Sequence, residues 1–272
     1  MNNFTSGSTF FLMGFTDIRE IQILHAVFFL LIYLAALFGN LLIITLITKD
    51  HCLHTPMYFF LKNLSFLDLC LISITVPKSI MNSLMNHNSI SFFGCVSQVF
   101  FFFLLATTEV ALLTVMSYDR YVAICLPLRY DVIMSHRSCV EMAASSWLSG
   151  GLNAILHTAS TFSIPICGSP EVHQFFCDVP QLLSLTFVLQ RRQVQSFLYL
   201  LASPPCCDFV SLFRVFCLST LLAQISITLD LLISVFYTVV PPTMNPLIYS
   251  LRNKDMKIAL GKLRKARYFQ SN

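Results

Sequence analysis

The amino-acid sequence predicts an all-α membrane protein, and two observations carry this prediction. First, 56% of the 272 residues are hydrophobic and only 11% are charged, with a mean hydropathy of +0.73. Such values lie outside the range of soluble globular domains. Second, the apolar residues are collected in blocks of about 20 or more, the length that an α-helix needs to cross a bilayer.

Five blocks are predicted to span the membrane within a single domain that covers residues 1–272. The polar segment 1–22 is interpreted as an extracellular tail, and segment 251–272 as a cytoplasmic tail. Segment 186–229, which lies before the last block, does not follow the same pattern. The predicted spans are 23–48, 56–80, 92–125, 140–164 and 231–250.

Local signals support the individual spans. The first is too long for the core of a signal peptide and lacks a basic leading region, so we expect an uncleaved anchor. The second opens with Pro56, whose missing N–H costs nothing in the first turn of a helix. The third contains Glu109 as the only formal charge between Ile90 and Tyr118.

The charge distribution and the sequence motifs narrow the classes of function that the chain can have. The net charge is +4, and basic residues cluster between Arg252 and Arg267, which fits the anionic cytoplasmic face of a lipid membrane. No nucleic-acid partner is expected, because no base-reading domain accompanies this cluster. The sequence has no His-Glu-x-x-His, Gly-x-Ser-x-Gly or Walker motif and its spans show no repeat symmetry, which argues against an enzyme or a transporter.

Three strings of residues identify the family that the chain resembles. Residues 116–125, at the end of the third span, are Met-Ser-Tyr-Asp-Arg-Tyr-Val-Ala-Ile-Cys. The second span opens with Pro-Met-Tyr-Phe-Phe-Leu, and residues 242–253 are Pro-Thr-Met-Asn-Pro-Leu-Ile-Tyr-Ser-Leu-Arg-Asn. Together they resemble the odorant (olfactory) receptors, which are rhodopsin-like G-protein-coupled receptors. The resemblance covers roughly residues 10–185 and 230–263.

The resemblance implies a seven-transmembrane receptor bundle in the plasma membrane, with a small volatile odorant as ligand and a heterotrimeric G protein as partner. The chain departs from this pattern after Pro180. Only residues 182–189 are apolar before Arg191 and Arg192, which is too short for the fifth helix of the family. We therefore expect an incomplete bundle of about five to six spans.

The sixth helix is interpreted as frame-shifted. Family members carry near its start Glu-Gly-Arg-Ser-Lys-Ala-Phe-Ser-Thr-Cys-Leu-Pro-His-Leu, and codons chosen for this string give residues 192–204 in another frame. We hypothesise that a deletion removed the fifth-helix code and displaced the frame. Asp208 and Arg214 then lie in the would-be span, each costing about 2.5–3.5 kcal/mol at its centre. The alternative function is a non-signalling, truncated receptor product retained in the endoplasmic reticulum.

The resemblance assigns a cytoplasmic switch to Asp119, Arg120 and Tyr121. In the family, the aspartate holds the arginine guanidinium at rest, and the freed guanidinium contacts the G protein. The alternative interpretation is a pair of charges that merely anchors a helix end at the membrane surface.

A polar core is predicted inside the bundle. Ionisable groups are costly in hydrocarbon, so they usually face the bundle interior and have partners there. The resemblance implies a water-filled pocket that could hold a sodium ion, and no other cofactor or metal is expected. The alternative is a set of buried hydrogen bonds that joins the helices. The residues are Asn40, Asp68, Glu109 and Asn245.

The remaining site predictions concern the extracellular half. The resemblance implies a disulfide between Cys95 and Cys177, and Asn3 begins the glycosylation sequon Asn-Phe-Thr. Cys167, His173, Cys177 and Asp178 have only weak support from spacing as metal ligands. Odorant contacts, for which ordinary helix packing is the alternative, are expected at Phe102, Phe103, Ala106, Thr107, Val110, Val235 and Thr238.

Overall fold

The computed structural model describes residues 9–12, 18–50, 53–85, 89–163, 171–172, 174–179, 182, 227–252 and 256–261. The predicted glycosylation site Asn3, nearly all of segment 186–229 and most of segment 251–272 lie outside these residues. The described elements are β1 (Thr9–Leu12), α1 (Arg19–Lys49), α2 (Pro56–Met85), β2 (Ser89–Ser91), α3 (Phe92–Cys125), α4 (Tyr130–Ile133), α5 (His136–Phe162), β3 (Glu171–Val172) and α6 (Ile227–Arg252).

Helices form the bulk of the described structure, and the predicted fold class is confirmed. Five long helices occupy the regions of the five predicted spans. The first begins at Arg19, inside the segment interpreted as a tail, and the second continues to Met85. By length and composition, α1, α2 and α3 are the described helices that could cross a membrane. Residues 256–261 form a further helical segment after α6.

Side-chain hydroxyl groups cap two helices at their N-termini and form hydrogen bonds within the helices. Ser91 precedes α3 and its hydroxyl accepts a hydrogen bond from the Gly94 N–H, while Ser135 caps α5 in the same way through the Ser138 N–H. Within the helices, hydroxyl groups donate to the carbonyl four residues earlier, which satisfies them in apolar surroundings. Examples are Thr45, Thr75, Thr108, Thr114 and Ser117.

The helices pack as α1 on α2, α2 on α3, α3 on α5, and α6 on both α1 and α2. Small residues allow the closest approaches. A Cβ atom added at Gly150 of α5 would lie 2.8 Å from the Leu104 carbonyl oxygen of α3 and would collide with the Thr108 side chain. A Cβ atom at Gly39 of α1 would lie 3.0 Å from Pro246 Cβ of α6. Glycine at both positions therefore brings neighbouring helix backbones together.

A small sheet closes the outer end, which the sequence did not predict. Its strand order is β2-β1-β3, with β1 antiparallel to β2 and parallel to β3. Phe10 and Leu12 of β1 are buried, while Phe11 between them is exposed, as the alternation of side chains along a strand requires. The sheet thereby ties the N-terminal segment to the two loops that carry β2 and β3.

Candidate functional site

The loop between α5 and α6 enters the outer end of the bundle. A disulfide joins Cys95 at the start of α3 to Cys177 in this loop, with 5.5 Å between their Cα atoms. Gln98, one turn further along α3, holds the same point. Its Oε1 accepts a 2.9 Å hydrogen bond from the Cys177 N–H, and its Nε2 donates over 3.0 Å to the Ile74 carbonyl of α2. The loop is therefore fixed to α3 by one covalent bond and one hydrogen bond.

Two loop phenylalanines are buried next to predicted pocket residues. The Phe176 ring lies 5.8 Å from the Phe102 ring of α3, and the Phe175 ring lies 5.6 Å from the Phe29 ring of α1. Phe102, Phe175 and Phe176 belong to one buried apolar cluster, against which Ala106 and Val235 also pack. The structure thus brings three of the seven predicted pocket residues together around the loop.

Two other predicted pocket residues face α5. The Phe103 ring is stacked on the His157 ring, with centroids 4.4 Å apart and planes inclined by 15°. One turn along, the Thr107 hydroxyl oxygen accepts a 2.8 Å hydrogen bond from Asn153 Nδ2. His157 is buried, and neither ring nitrogen has a hydrogen-bond partner among the described residues. The ring stack and the hydrogen bond both link α3 to α5.

The last two predicted pocket residues differ in their surroundings. Thr238 of α6 is fully buried, and its hydroxyl donates a 2.6 Å hydrogen bond to the Ser234 carbonyl of its own helix. Val110 of α3 is half-buried. The Ser234 hydroxyl in turn donates over 3.3 Å to the Asp178 carboxylate, which connects the loop to α6.

A pair of carboxylates lies at the centre of the bundle. Asn245 Nδ2 lies 3.2 and 3.1 Å from the two Asp68 carboxylate oxygens and 3.5 Å from Glu109 Oε1. Both acidic residues are buried. Among the described residues, neither forms an ion pair with a basic side chain. Two acidic groups therefore share one amide donor, and their oxygens form a donor set that suits a hard cation.

Asn40 bonds to backbone carbonyls. Its Nδ2 donates to the Ala36 carbonyl over 3.1 Å and to the Pro242 carbonyl over 2.9 Å. The Asn40 side chain is fully buried, and its Oδ1 has no hydrogen-bond partner among the described residues. Asn40 thus joins α1 to α6.

The predicted switch residues lie in the last two turns of α3, but among the described residues Asp119 and Arg120 contact other side chains and not each other. Asp119 is buried and accepts a 2.8 Å hydrogen bond from the Tyr130 hydroxyl of α4. Arg120 donates to the sulfur of Met57 at the start of α2, and within the described structure it forms no ion pair with Asp119. Tyr121 is exposed and its ring stacks on Tyr118.

Tyr130 is a site residue that the sequence analysis missed. Burial, followed by the hydrogen bond to Asp119 and the nearby carboxylate charge, raises the pKa of Tyr130 above its usual range. The hydroxyl therefore stays protonated and continues to donate. Spacing gave no signal for it, because Tyr130 lies in the short helix α4, outside every predicted span.

Comparison with known proteins identifies the family. Residues 39–204 match the family described as 7 transmembrane receptor (rhodopsin family). Human Olfactory receptor 14A16 is 51% identical over an alignment that covers 98% of this chain and 99% of the relative. Human Olfactory receptors 14J1 and 14L1 are 49% and 48% identical, covering 97% and 95% of this chain and 94% and 91% of theirs.

The alignment to Olfactory receptor 14A16 spans 305 positions, which exceeds the 272 residues of this chain. The relative therefore has residues with no counterpart here. Identity at this level along nearly the whole chain nevertheless leaves the family in no doubt. The chain belongs to the olfactory receptors, a multi-pass membrane family of non-enzymatic signalling receptors within the rhodopsin-like seven-transmembrane class.

Proposed function

We propose that this chain is an odorant receptor that binds small volatile molecules and couples to a heterotrimeric G protein at the plasma membrane. The observation that carries this proposal is the arrangement at the cytoplasmic end of α3. Asp119 accepts a hydrogen bond from Tyr130, and among the described residues Arg120 contacts the Met57 sulfur and forms no ion pair with Asp119. The guanidinium is therefore not committed to Asp119 and can contact a partner.

The surface beside Arg120 supports a protein partner. Leu128 is 100% exposed, Val132 79% and Ile124 77%. Ile124 lies at the end of α3, Leu128 between α3 and α4, and Val132 in α4 with Tyr130. Exposed apolar side chains in a cluster commonly mark an interaction surface. An apolar patch flanked by a cation matches a partner that offers an apolar pocket beside backbone carbonyl or carboxylate groups.

We also propose that Asp68 and Glu109 hold a sodium ion between them. Their oxygens are close enough to share the Asn245 amide, and among the described residues no cation neutralises them. A bound cation would supply that charge and join α2 to α3. Because the ion would bind only the folded bundle, it would stabilise the protein by mass action.

A second candidate function is a receptor product that does not signal and stays in the endoplasmic reticulum. It is supported by the alignment, in which the relative contains residues that this chain lacks. The hypothesis of a deletion before α6 accounts for that difference, and the gene sequence around codons 186–230 tests it.

The two candidates are separated in cells that express the chain with an extracellular N-terminal epitope. Labelling of intact cells measures surface chain, and cAMP is measured against a panel of volatile ligands. The first candidate predicts surface label and a cAMP rise that Arg120→Ala abolishes. The matched variant is Arg137→Ala, which removes an exposed arginine paired with Glu141 on the same cytoplasmic side and should leave the response intact. Intracellular, silent chain supports the second candidate.

A further inference from the structure

The segment 174–179 of the outer loop occupies the interior of the bundle. All six of its side chains are buried. Three bonds hold it there: the Cys95–Cys177 disulfide, the Cys177 N–H to Gln98, and Ser234 to the Asp178 carboxylate. A loop that bonds both α3 and α6 in this way is an integral part of the pocket region.

Phe176 is the member of this segment that meets the predicted odorant contacts. Its ring is tilted by 37° against Phe102, and the two rings belong to one buried cluster with Ala106 and Val235 packed against it. The neighbouring Phe175 ring lies 4.9 Å from it in an edge-on arrangement. An edge-on ring pair at such a distance is favourable beyond the area that it buries.

We propose that the Phe176 ring occupies the place of the ligand, and that the ligand displacing it is an apolar molecule with a flat ring. This inference rests on the proposed ligand-binding function. The surroundings that accept a phenyl group of the chain also accept a free phenyl group of similar size and shape. The Phe176 ring therefore indicates the chemical class of ligand that the site binds. Each ligand must displace this ring to bind.

Removing the ring should leave a cavity for a free one. Apolar cavities created by truncating a buried side chain stay dry and can bind molecules of the size of benzene. Phe176→Ala is therefore expected to create a saturable site for fluorobenzene. The purified full chain is placed in lipid nanodiscs, and binding is followed by fluorine NMR. Empty nanodiscs give the non-saturable partition into lipid.

The expected result is that fluorobenzene binds Phe176→Ala about tenfold or more tightly than the wild-type chain. The matched control is Phe66→Ala, which removes an equal ring from the half-exposed face of α2, where it contacts Trp147. This control should bind as the wild type does. Equal binding by wild type and Phe176→Ala, or an equal gain in Phe66→Ala, overturns the proposal.

Phe176→Leu guards against loss of the fold, because it keeps an apolar side chain in the cluster. Formation of the Cys95–Cys177 disulfide, measured by thiol alkylation, reports that the loop is in place. A smaller but saturable gain is expected, and no gain in a variant with an intact disulfide overturns the proposal. Signalling plays no part in this measurement, so a silent receptor with a fluorobenzene site would contradict the proposed function and leave this inference standing.

Discussion

Asn40 Nδ2 of α1 donates a 2.9 Å hydrogen bond to the carbonyl oxygen of Pro242 in α6, although the two residues are 202 positions apart in the sequence. In an uninterrupted helix, that carbonyl would accept from the N–H of residue 246. Proline occupies position 246 and has no N–H, so the carbonyl is free for another donor. Gly39, next to Asn40, lets α1 approach Pro246 closely enough for this bond.

This relationship predicts that the contributions of Asn40 and Pro246 to stability are coupled. Asn40→Ala should cost about 0.5–2 kcal/mol, because it leaves the Pro242 carbonyl without a donor in apolar surroundings. Pro246→Ala restores a backbone N–H that can satisfy the same carbonyl. In the Pro246→Ala background the cost of Asn40→Ala should therefore fall by about 0.5 kcal/mol or more. Thermal unfolding of the four chains in detergent gives the coupling energy, and strict additivity would contradict the account.

Gly150 and Gly151 are adjacent in α5, so an alanine substitution at each gives a test variant and its matched control. Gly150→Ala places a methyl group 2.8 Å from the Leu104 carbonyl and against Thr108, so α3 and α5 must separate. We expect a loss of about 1–3 kcal/mol. Gly151→Ala meets nothing within 4 Å and improves helix propensity, so its stability should be equal or slightly higher. Similar melting temperatures for the two variants would mean that α3 and α5 do not pack as described.

The raised pKa of Tyr130 predicts that the stability of the folded chain falls at alkaline pH. Because its pKa is raised in the folded chain, the protonated hydroxyl contributes stability that is fully present below the unfolded pKa of about 10. That contribution is lost as the pH rises towards the higher folded pKa. Tyr130→Phe should therefore lower stability by about 1–2 kcal/mol near pH 7. The difference from wild type should shrink above about pH 10. A difference that stays constant with pH would show that the hydrogen bond to Asp119 does not carry the effect.

The carboxylate pair predicts a sodium-dependent stability. At equal ionic strength, the wild-type chain should melt at a higher temperature in sodium chloride than in choline chloride. Asp68→Asn should remove most of this difference, because it removes one of the two charges that attract the ion. Asp131→Asn changes an exposed carboxylate in α4 and should keep the difference. Equal melting of wild type in both salts would argue against the sodium site.

The sequence was sufficient for the fold class, whereas the polar core as a functional site stays a prediction. Apolar blocks locate the helices, and scarce charges in such blocks are expected to face inward. The family resemblance grouped Asp68, Glu109 and Asn245, and Asn245 Nδ2 lies within 3.5 Å of both carboxylates. The outer sheet could not be predicted, because β1 has only four residues and its partners lie in two distant loops. The contact of Gln98 with Cys177 depends in the same way on the path of a loop that periodicity does not describe.

The odorant pocket stays a prediction, and the sequence did not show which way each of its residues faces. Phe103 and Thr107 lie one turn apart and both face α5. The Phe103 ring stacks on His157, and Thr107 accepts a hydrogen bond from Asn153. Their neighbours Phe102 and Ala106 pack with the loop instead. Which residues of α3 face α5 depends on how the two helices pack, and their close approach at Gly150 is visible only in the structure.

Nucleotide exchange on a purified heterotrimeric G protein tests the central claim most directly, because it requires neither trafficking nor a cell surface. The chain is reconstituted in lipid nanodiscs and mixed with the G protein, a non-hydrolysable GTP analogue and a mixture of volatile ligands. We expect ligand-dependent acceleration of exchange by the wild-type and Arg137→Ala chains and none by Arg120→Ala. Exchange at the same rate with and without the folded wild-type chain would contradict this expectation.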